Sequence, residues 1–444
     1  MYTLDWKHAH IGRLHDDSLN PTPDLTAELG ICTARLAGEM TAGRLPFLDL
    51  PFRREMEEGI QNLLPRLQHF KHMVILGIGG SALGTRALQK AFFPQQDRFG
   101  HSGPWVWILD NVDADELSAI MTTLNPAETL IVTISKSGGT IETLSQYFII
   151  REWMLKCFPE TWREHFIFVT DAHSGFLRQE AEREGIPSLS VPDNLGGRYS
   201  VISAVGMLPA AFMGLPWQTF LDGVQSVNTQ LVYNPGSTEA LREHPAWQLA
   251  NWCSDLYLKD YSQLIFFSYI PAWACFGQWF GQLWAESLGK NGKGTMPLPA
   301  IGVTDQHSLQ QMFLDGPKDK GCIQLYCSEI PQYLRYPMDI PETWSWLRGK
   351  AFSELLQAET LGAAAALAHH NVPLVRLRVP QADMYAAGEV MGLLMATTVL
   401  TGLILDINPL DQPAVELGKR LACSRLGSTN YPEEAAILNE FLTR

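Results

Sequence analysis

Two segments rich in glycine and hydroxyl side chains have the composition of phosphate-binding loops. One spans residues 77–81 and the other residues 135–140, and each lies between an apolar stretch and a helix-like stretch. Backbone N–H groups and hydroxyls at the start of a helix can donate hydrogen bonds to an anion, and a lysine adds a full charge. The two segments therefore predict a site for a phosphorylated ligand. The candidate binding residues are Gly80, Ser81, Ser135, Lys136, Ser137 and Thr140.

Each loop also has a simpler interpretation. Gly77, Gly79 and Ala82 match a loose dinucleotide-binding fingerprint, and Asp110 ends the next apolar stretch, where an acid that binds ribose would be expected. A nicotinamide-dependent dehydrogenase therefore stays open as an alternative, as does a plain turn between strand and helix. In the second loop, helix capping would explain Thr140, but it leaves the lysine and the other hydroxyls without a role.

An arginine and a glutamate have the chemistry of a charge-stabilising group and a general base. Arg198 follows Gly197 in a turn that can hold its guanidinium against a ligand. Glu286 lies on an aromatic-rich, otherwise apolar stretch and is in register with Gln282, four residues earlier. Polar groups on one stripe of a buried helix indicate a lined cavity. The alternatives are a turn before a buried helix for Arg198 and a surface ion pair between Glu286 and Lys290.

Two basic residues in the second half are further candidates. His307 lies in a polar loop just beyond an apolar stretch, where a histidine could transfer protons. Gln412 and Lys419 are seven residues apart, so they share one face of a predicted helix. A structural histidine and a solvated C-terminal helix are the alternatives.

Short apolar stretches alternate with helix-like stretches through most of the chain, which is typical of a parallel α/β fold. Residues 1–70 have helical periodicity and form a predicted N-terminal entry segment. A polar stretch that begins at Asn234 resembles a linker. The sequence thus predicts one α/β domain over residues 71–234 and a second, with C-terminal helices, over residues 235–444. There is no residue-level repeat between them, so any duplication would be architectural.

Composition narrows the class of protein. The 444 residues are 46% hydrophobic and 18% charged, as in a globular chain, and the net charge of −14 disfavours nucleic acid and anionic membrane surfaces as partners. The seven cysteines are scattered without zinc-ligand spacing, and the longest uncharged apolar run, over residues 390–405, is short for a membrane span. We expect a soluble cytoplasmic protein.

Six segments together resemble one enzyme family. In order they are GIGGS (77–81), SKSGGTIET (135–143), DNLGGRYSVISAVG (193–206), ESLGK (286–290), DQHS (305–308) and DQPAVELGK (411–419). This series is similar to the glucose-6-phosphate isomerases, in particular a short bacterial type. The resemblance implies two tandem sugar-isomerase (SIS) domains, each a mostly parallel sheet flanked by helices. It also leaves little room for the dinucleotide interpretation.

The resemblance implies a role for each matching residue. Glu286 corresponds to the base that moves a proton between C2 and C1 through a cis-enediol(ate), and Arg198 to the cation that stabilises the developing charge. His307 and Lys419 correspond to the pair that opens the sugar ring. Glu142 corresponds to an acid near that histidine. The remaining matches are substrate-contacting positions: Gly80, Ser81, Ser135, Lys136, Ser137, Thr140, Gly197, Gln282 and Gln412.

The resemblance further implies interconversion of glucose 6-phosphate and fructose 6-phosphate, in glycolysis and gluconeogenesis, with no metal or organic cofactor. It also implies a homodimer in which His307 completes the neighbouring subunit's site. Two alternatives stay open. One is an isomerase that also accepts mannose 6-phosphate, and the other is a non-catalytic sugar-phosphate sensor built on the same fold. The second predicts loss of the base or of the ring-opening residues, yet all of them are present.

Overall fold

Ten strands form two five-stranded sheets in the computed structural model, which describes residues 1–15 and 25–443. Most of the strands are runs of buried Val, Ile, Leu and Phe, as expected for strands covered on both faces. The strands are β1 (Thr3–His8), β2 (His72–Leu76), β3 (Trp105–Leu109), β4 (Thr129–Ser135), β5 (Phe166–Asp171), β6 (Ser188–Val191), β7 (Gln263–Ser268), β8 (Met296–Ile301), β9 (Lys320–Cys327) and β10 (Leu374–Val379).

Helices cover both sheets and connect their strands. The α-helices of the described part of the chain are α1 (Leu25–Thr41), α2 (Pro46–Asp49), α3 (Glu55–Leu67), α4 (Leu83–Phe92), α5 (Ala114–Thr123), α6 (Ile141–Cys157), α7 (Phe176–Glu184), α8 (Ala204–Phe212), α9 (Trp217–Tyr233), α10 (Thr238–Glu243), α11 (Pro245–Leu258), α12 (Ala274–Leu288), α13 (Thr304–Ser308), α14 (Gln310–Asp315), α15 (Phe352–His369), α16 (Met384–Ile404), α17 (Glu416–Arg425) and α18 (Pro432–Thr443). Short 3₁₀ turns at Gly79–Ser81, Gly197–Ile202 and Pro413–Val415 matter for the site.

Four parallel strands of each sheet repeat one topology, and the fifth strand differs, since β6 is parallel to its neighbour β5 whereas β1 is antiparallel to β10. The first sheet has the order β3-β2-β4-β5-β6 with every pair parallel, and the second has the order β1-β10-β9-β7-β8. In each sheet the first strand of the parallel unit, β2 or β7, has the next strand on one side and the third on the other. The chain is therefore duplicated in architecture, although its sequence shows no repeat. The α/β prediction is confirmed, while the boundaries near residues 70 and 234 stay a prediction.

The N-terminal segment differs from its prediction. The sequence predicts helical structure for residues 1–70, but β1 pairs antiparallel with β10 and so belongs to the second sheet. Its burial alternates residue by residue, which is the period of a strand rather than a helix. Tyr2, Leu4 and Trp6 pack against the core and carry that alternation. α1 and α3 supply the helical part of the segment.

The described residues form three apolar clusters, and the largest of them runs through both halves. Its centre is α16, which packs along α9 and against α11 and α12. α16 is 21 residues long and apolar enough to span a membrane, but 89% of its most apolar window is buried inside the protein. It is longer than the uncharged run in the sequence because it continues past Glu389 toward its N-terminus. Such burial is typical of the core helix of a globular protein.

Candidate active site

The first glycine loop packs backbone against backbone on the segment that carries Arg198. It leaves β2, turns through Gly79–Ser81 and enters α4. A Cβ on Gly80 would lie 2.2 Å from the carbonyl oxygen of Gly197, so only glycine fits there. The Ser200 hydroxyl donates to the carbonyl oxygen of Gly80 at 3.2 Å and fixes the contact. The close approach brings Ser81 and the start of α4 next to the arginine turn.

The second loop contains a cluster of hydroxyl side chains. Ser135 is the buried last residue of β4, and its Oγ lies 2.8 Å from the Thr140 Oγ1 and 3.5 Å from the Ser137 Oγ. Ser137 also accepts a hydrogen bond from the N–H of Gly139 at 3.3 Å. Thr140 occupies the N-cap position of α6, yet its side chain makes no capping hydrogen bond. The hydroxyls therefore face one another, which suits an anion cradle better than helix capping.

The two loops meet at one edge of the first sheet. β2 and β4 are parallel neighbours, so their carboxyl ends lie side by side. This is the point at which the strand order reverses, where α/β sheets commonly bind ligands. Lys136 is half-buried there, and burial lowers the pKa of its ammonium, while the nearby carboxylates of Asp171 and Asp193 act in the opposite direction. The loops thus place hydroxyls, amides and a cation together.

Arg198 is the centre of the hydrogen-bond network beside this cradle. Its side chain is 1% exposed and donates from all three nitrogens. Nε donates to the Ser287 hydroxyl at 2.7 Å, and Nη2 donates to the carbonyl oxygens of Pro409 (2.7 Å) and Asp411 (3.0 Å). Nη1 donates to the Gln412 Oε1 at 2.8 Å. A guanidinium held in this way has a fixed position and little freedom to move.

Glu286 forms an ion pair with this arginine. Its Oε2 lies 3.1 Å from the Arg198 Nη1, and its Oε1 accepts a hydrogen bond from the Gln282 Nε2 at 2.9 Å. The glutamate is 29% exposed, so it remains open to a ligand. A Cβ on Gly79 would lie 3.0 Å from the Gln282 Nε2, which places α12 directly beside the first loop. The surface pair with Lys290 does not form, because Lys290 is paired with Asp411 instead.

The expected ring-opening residues lie outside this network within the chain. His307 is exposed on α13, and Lys419 is exposed on α17 and paired with Glu416 at 2.8 Å. In the described residues, no hydrogen bond or ion pair joins either side chain to Arg198 or Glu286. Glu142, in the first turn of α6, likewise has no bond to His307. The resemblance implies that a second subunit supplies the histidine.

Sequence reasoning missed several residues that hold Arg198 in place. Ser287 is fully buried, and its hydroxyl lies 3.0 Å from the Tyr199 hydroxyl, which also donates to the Pro409 carbonyl. The sequence gives only a weak indication of Ser287, which directly follows Glu286 on an otherwise apolar helix. The contacts of Arg198 with Pro409 and Asp411 use backbone carbonyl oxygens, so residue types alone cannot predict them.

Comparison with known proteins decides the family. The family model described as phosphoglucose isomerase matches residues 66–295. A glucose-6-phosphate isomerase of Thermus thermophilus is 34% identical over 392 residues, which cover 86% of this chain and 90% of that protein. The chain belongs to the phosphoglucose isomerase family. A glucose-6-phosphate isomerase of Carboxydothermus hydrogenoformans is 33% identical over 408 residues, covering 88% of this chain and 87% of its own.

Solved structures agree with this membership of the phosphoglucose isomerase family. The crystal structure of a hypothetical protein from Thermus thermophilus superposes with a TM-score of 0.85 at 31% identity, covering 96% of this chain and 100% of that one. A glucose-6-phosphate isomerase of Chlamydia trachomatis gives a TM-score of 0.70 at 21% identity, over 94% of this chain and 81% of its own, which shows a shared fold. The prediction of a tandem SIS architecture is confirmed.

The dinucleotide interpretation has no support at the site of this phosphoglucose isomerase family member. Asp110, the expected ribose-binding acid, is in an ion pair with Arg86 at 2.9 Å. The first loop instead faces Arg198 and Gln282. Among the described residues there is no group of three or more His, Cys, Asp and Glu side chains that could hold a metal ion.

Proposed function

We propose that the protein interconverts glucose 6-phosphate and fructose 6-phosphate, a step of glycolysis and gluconeogenesis. The observation that carries this proposal is the Glu286–Arg198 pair at 3.1 Å, beside a hydroxyl, amide and lysine cradle. It brings a carboxylate and a fixed guanidinium together where the non-phosphorylated end of a bound sugar phosphate would lie. Membership of the phosphoglucose isomerase family supports the same reaction.

The proposed mechanism divides the work between binding and chemistry. The cradle formed by Gly80, Ser81 and residues 135–140 binds the phosphate, which is remote from the reacting carbons, and so orients C1 and C2. The Glu286 carboxylate takes the proton from C2 and returns it to C1. A positioned base of this kind contributes about 10²- to 10⁴-fold. The Arg198 guanidinium stabilises the oxyanion of the cis-enediolate, which is worth about 3 to 4 kcal/mol for one preorganised donor.

Amide and imidazole groups complete the proposed mechanism. Gln282 is hydrogen-bonded to the Glu286 carboxylate and Gln412 to the Arg198 guanidinium, and both amides can exchange these bonds for bonds to sugar hydroxyls. His307 and Lys419 open the sugar ring before the proton transfer, with Glu142 near the histidine. A non-catalytic sensor would have no need of the base, yet Glu286 is present and held by two partners.

The Glu286→Gln variant tests the proposed base. We expect it to lower kcat for fructose 6-phosphate by at least about 10²-fold, because the amide cannot accept the proton that leaves C1 of this ketose. A coupled assay that oxidises the glucose 6-phosphate formed measures this. Glu152→Gln, at a solvent-exposed pair with Lys156 on α6, is the control and should keep wild-type activity. Full activity in Glu286→Gln, or no turnover by the wild-type protein, would refute the proposal. Mannose 6-phosphate in the same assay tests the broader specificity.

We also propose that two copies of the chain form a dimer and that His307 of each completes the other's site. The support is an exposed His307, which in the described residues makes no hydrogen bond or ion pair with Arg198 or Glu286 of its own chain, and an exposed apolar segment over residues 333–352 that leads into α15. A second copy of the chain could cover that segment. Its exposed residues are Tyr333 (89%), Leu334 (70%), Met338 (69%), Trp344 (52%), Trp346 (57%) and Phe352 (57%). Exposed apolar residues in this number commonly mark an interaction surface.

Subunit mixing tests the shared site. Glu286→Gln and His307→Ala homodimers should both be inactive, because each lacks one group in both sites. After exchange, a mixed dimer has one site with both groups intact, so random mixing should restore about a quarter of wild-type activity. Mixing Glu286→Gln with itself is the control. If the histidine acts within its own chain, mixing restores nothing, and the proposal fails.

We infer a cytoplasmic location. Each of the seven cysteines is an unpaired thiol, four of them buried, which fits a reducing compartment. A function in central sugar metabolism agrees with that location.

A further inference from the structure

Lys290 anchors the loop that carries Gln412. It follows α12 by two residues, its side chain is 10% exposed, and its Nζ lies 2.9 Å from the Asp411 Oδ1. The same ammonium donates to the carbonyl oxygen of Asn408. Asn408 in turn donates from Nδ2 to the Asp411 Oδ2 at 2.9 Å. One cation therefore holds both ends of residues 408–411.

Arg198 holds the same loop from the other side. It binds the carbonyls of Pro409 and Asp411 and the side chain of Gln412. Two cations, Arg198 and Lys290, thus fasten residues 408–412 to the C-terminal end of α12, where Glu286 lies. Arg198 also contacts the ligand in the proposed mechanism, whereas Lys290 bonds only to the loop in the described structure.

The fastened loop determines where the last two helices begin. The chain passes from Gln412 through Pro413–Val415 into α17, which carries Lys419. Residues 411–420 are exposed, and α17 packs mainly on α18 rather than on the body of the protein. The position of α17 relative to Glu286 therefore depends on how residues 408–412 are held. A displacement of about 1 Å in such an arrangement can cost on the order of 10²-fold in rate.

We propose that Lys290 and Asp411 are positioning residues of the isomerase. Their ion pair fixes the 408–412 loop on α12, and through it sets Gln412 against Arg198 and sets the start of the helix that carries Lys419. This inference rests on the proposed function. Neither residue touches the reacting atoms. Loss of the ion pair therefore lowers kcat. The phosphate cradle is unchanged, because it lies on the first sheet.

Four variants separate this role from a general effect on folding. Lys290→Met and Asp411→Asn should each lower kcat for fructose 6-phosphate by about 10- to 100-fold. Lys290→Arg, which keeps the charge, should recover most of the loss. The double variant should be no less active than the less active of the two single variants, because both substitutions remove the same ion pair. Lys90→Met, at the exposed Lys90–Asp97 pair, is the control and should keep full activity.

Binding of inorganic phosphate, measured by calorimetry, supplies the second readout. This anion has no sugar hydroxyls for Gln412 to contact, so it reports on the cradle alone. We expect its affinity to be unchanged in Lys290→Met and Asp411→Asn, so that kcat falls without loss of phosphate binding. Wild-type activity in both variants, or a parallel fall in activity, inorganic phosphate affinity and melting temperature, would overturn the inference. An inactive wild-type protein would instead refute the proposed function.

Discussion

At the scale of single residues, an acidic protein binds an anion through a few cationic side chains that lie at the binding site. The net charge is −14, yet Lys136 and Arg198 lie on neighbouring loops at one edge of the first sheet. Lys136 is the charge closest to the hydroxyl cluster in sequence, and burial lowers its pKa because the charged form loses hydration. A phosphate dianion would replace that lost hydration. The charge of Lys136 thus matters more to substrate binding than to the stability of the fold.

Lys136→Met is expected to raise KM for fructose 6-phosphate. Loss of one charge-assisted hydrogen bond costs about 1.5 to 3 kcal/mol, or about 10- to 100-fold in KM. Inhibition by inorganic phosphate should weaken in parallel. Because the pKa is lowered, the wild-type protein should lose phosphate affinity as pH rises, starting below the ordinary lysine range, and the variant should lack this alkaline decline. Steady-state kinetics across pH measure both effects. An unchanged KM would exclude Lys136 from the cradle.

At the scale of elements, the sequence predicted local features well and distant ones poorly. The loops after β2 and β4 were predictable because their glycines and hydroxyls are contiguous and follow apolar strands. Gln282 and Glu286 were predictable because four residues make one helical turn. β1 was missed because its partner β10 lies far away, with Thr3 opposite Arg378, and a single short strand with alternating burial carries little local signal.

The same distinction explains the hydrogen-bond partners of Arg198. Its contacts with Pro409 and Asp411 span 211 and 213 residues and use backbone carbonyls. Backbone groups are identical at every residue, so residue types cannot reveal them. The pairing of Lys290 with Asp411 was hidden for another reason: Glu286, four residues before Lys290, offers a local alternative. Tertiary packing decides between the two, because it brings the 408–412 loop to the end of α12.

At the scale of the whole molecule, the site depends on how the two halves pack. Arg198 belongs to the first half and Glu286 to the second, so their ion pair crosses between them. The halves are joined along α9 and α16, which cross at two glycines. A Cβ on Gly388 would lie 2.0 Å from the carbonyl oxygen of Phe220, and one on Gly223 would lie 2.1 Å from that of Tyr385. Both contacts are with backbone, which cannot rotate away.

Gly388→Ala is therefore expected to force the two helices apart. Overpacking a tight core contact costs about 1 to 3 kcal/mol, and this should outweigh the gain in helix propensity of about 1 kcal/mol from alanine. Gly392→Ala is the matched control on the same helix, because its Cβ would lie 3.4 Å from the Val224 Cα, which is close to ordinary contact. Thermal unfolding should show a lower melting temperature for Gly388→Ala than for both wild type and Gly392→Ala. The temperature at which isomerase activity is lost should fall with it, because separation of α9 from α16 also separates Arg198 from Glu286. A Gly388→Ala protein as stable as Gly392→Ala would show that the crossing does not set the relation between the halves.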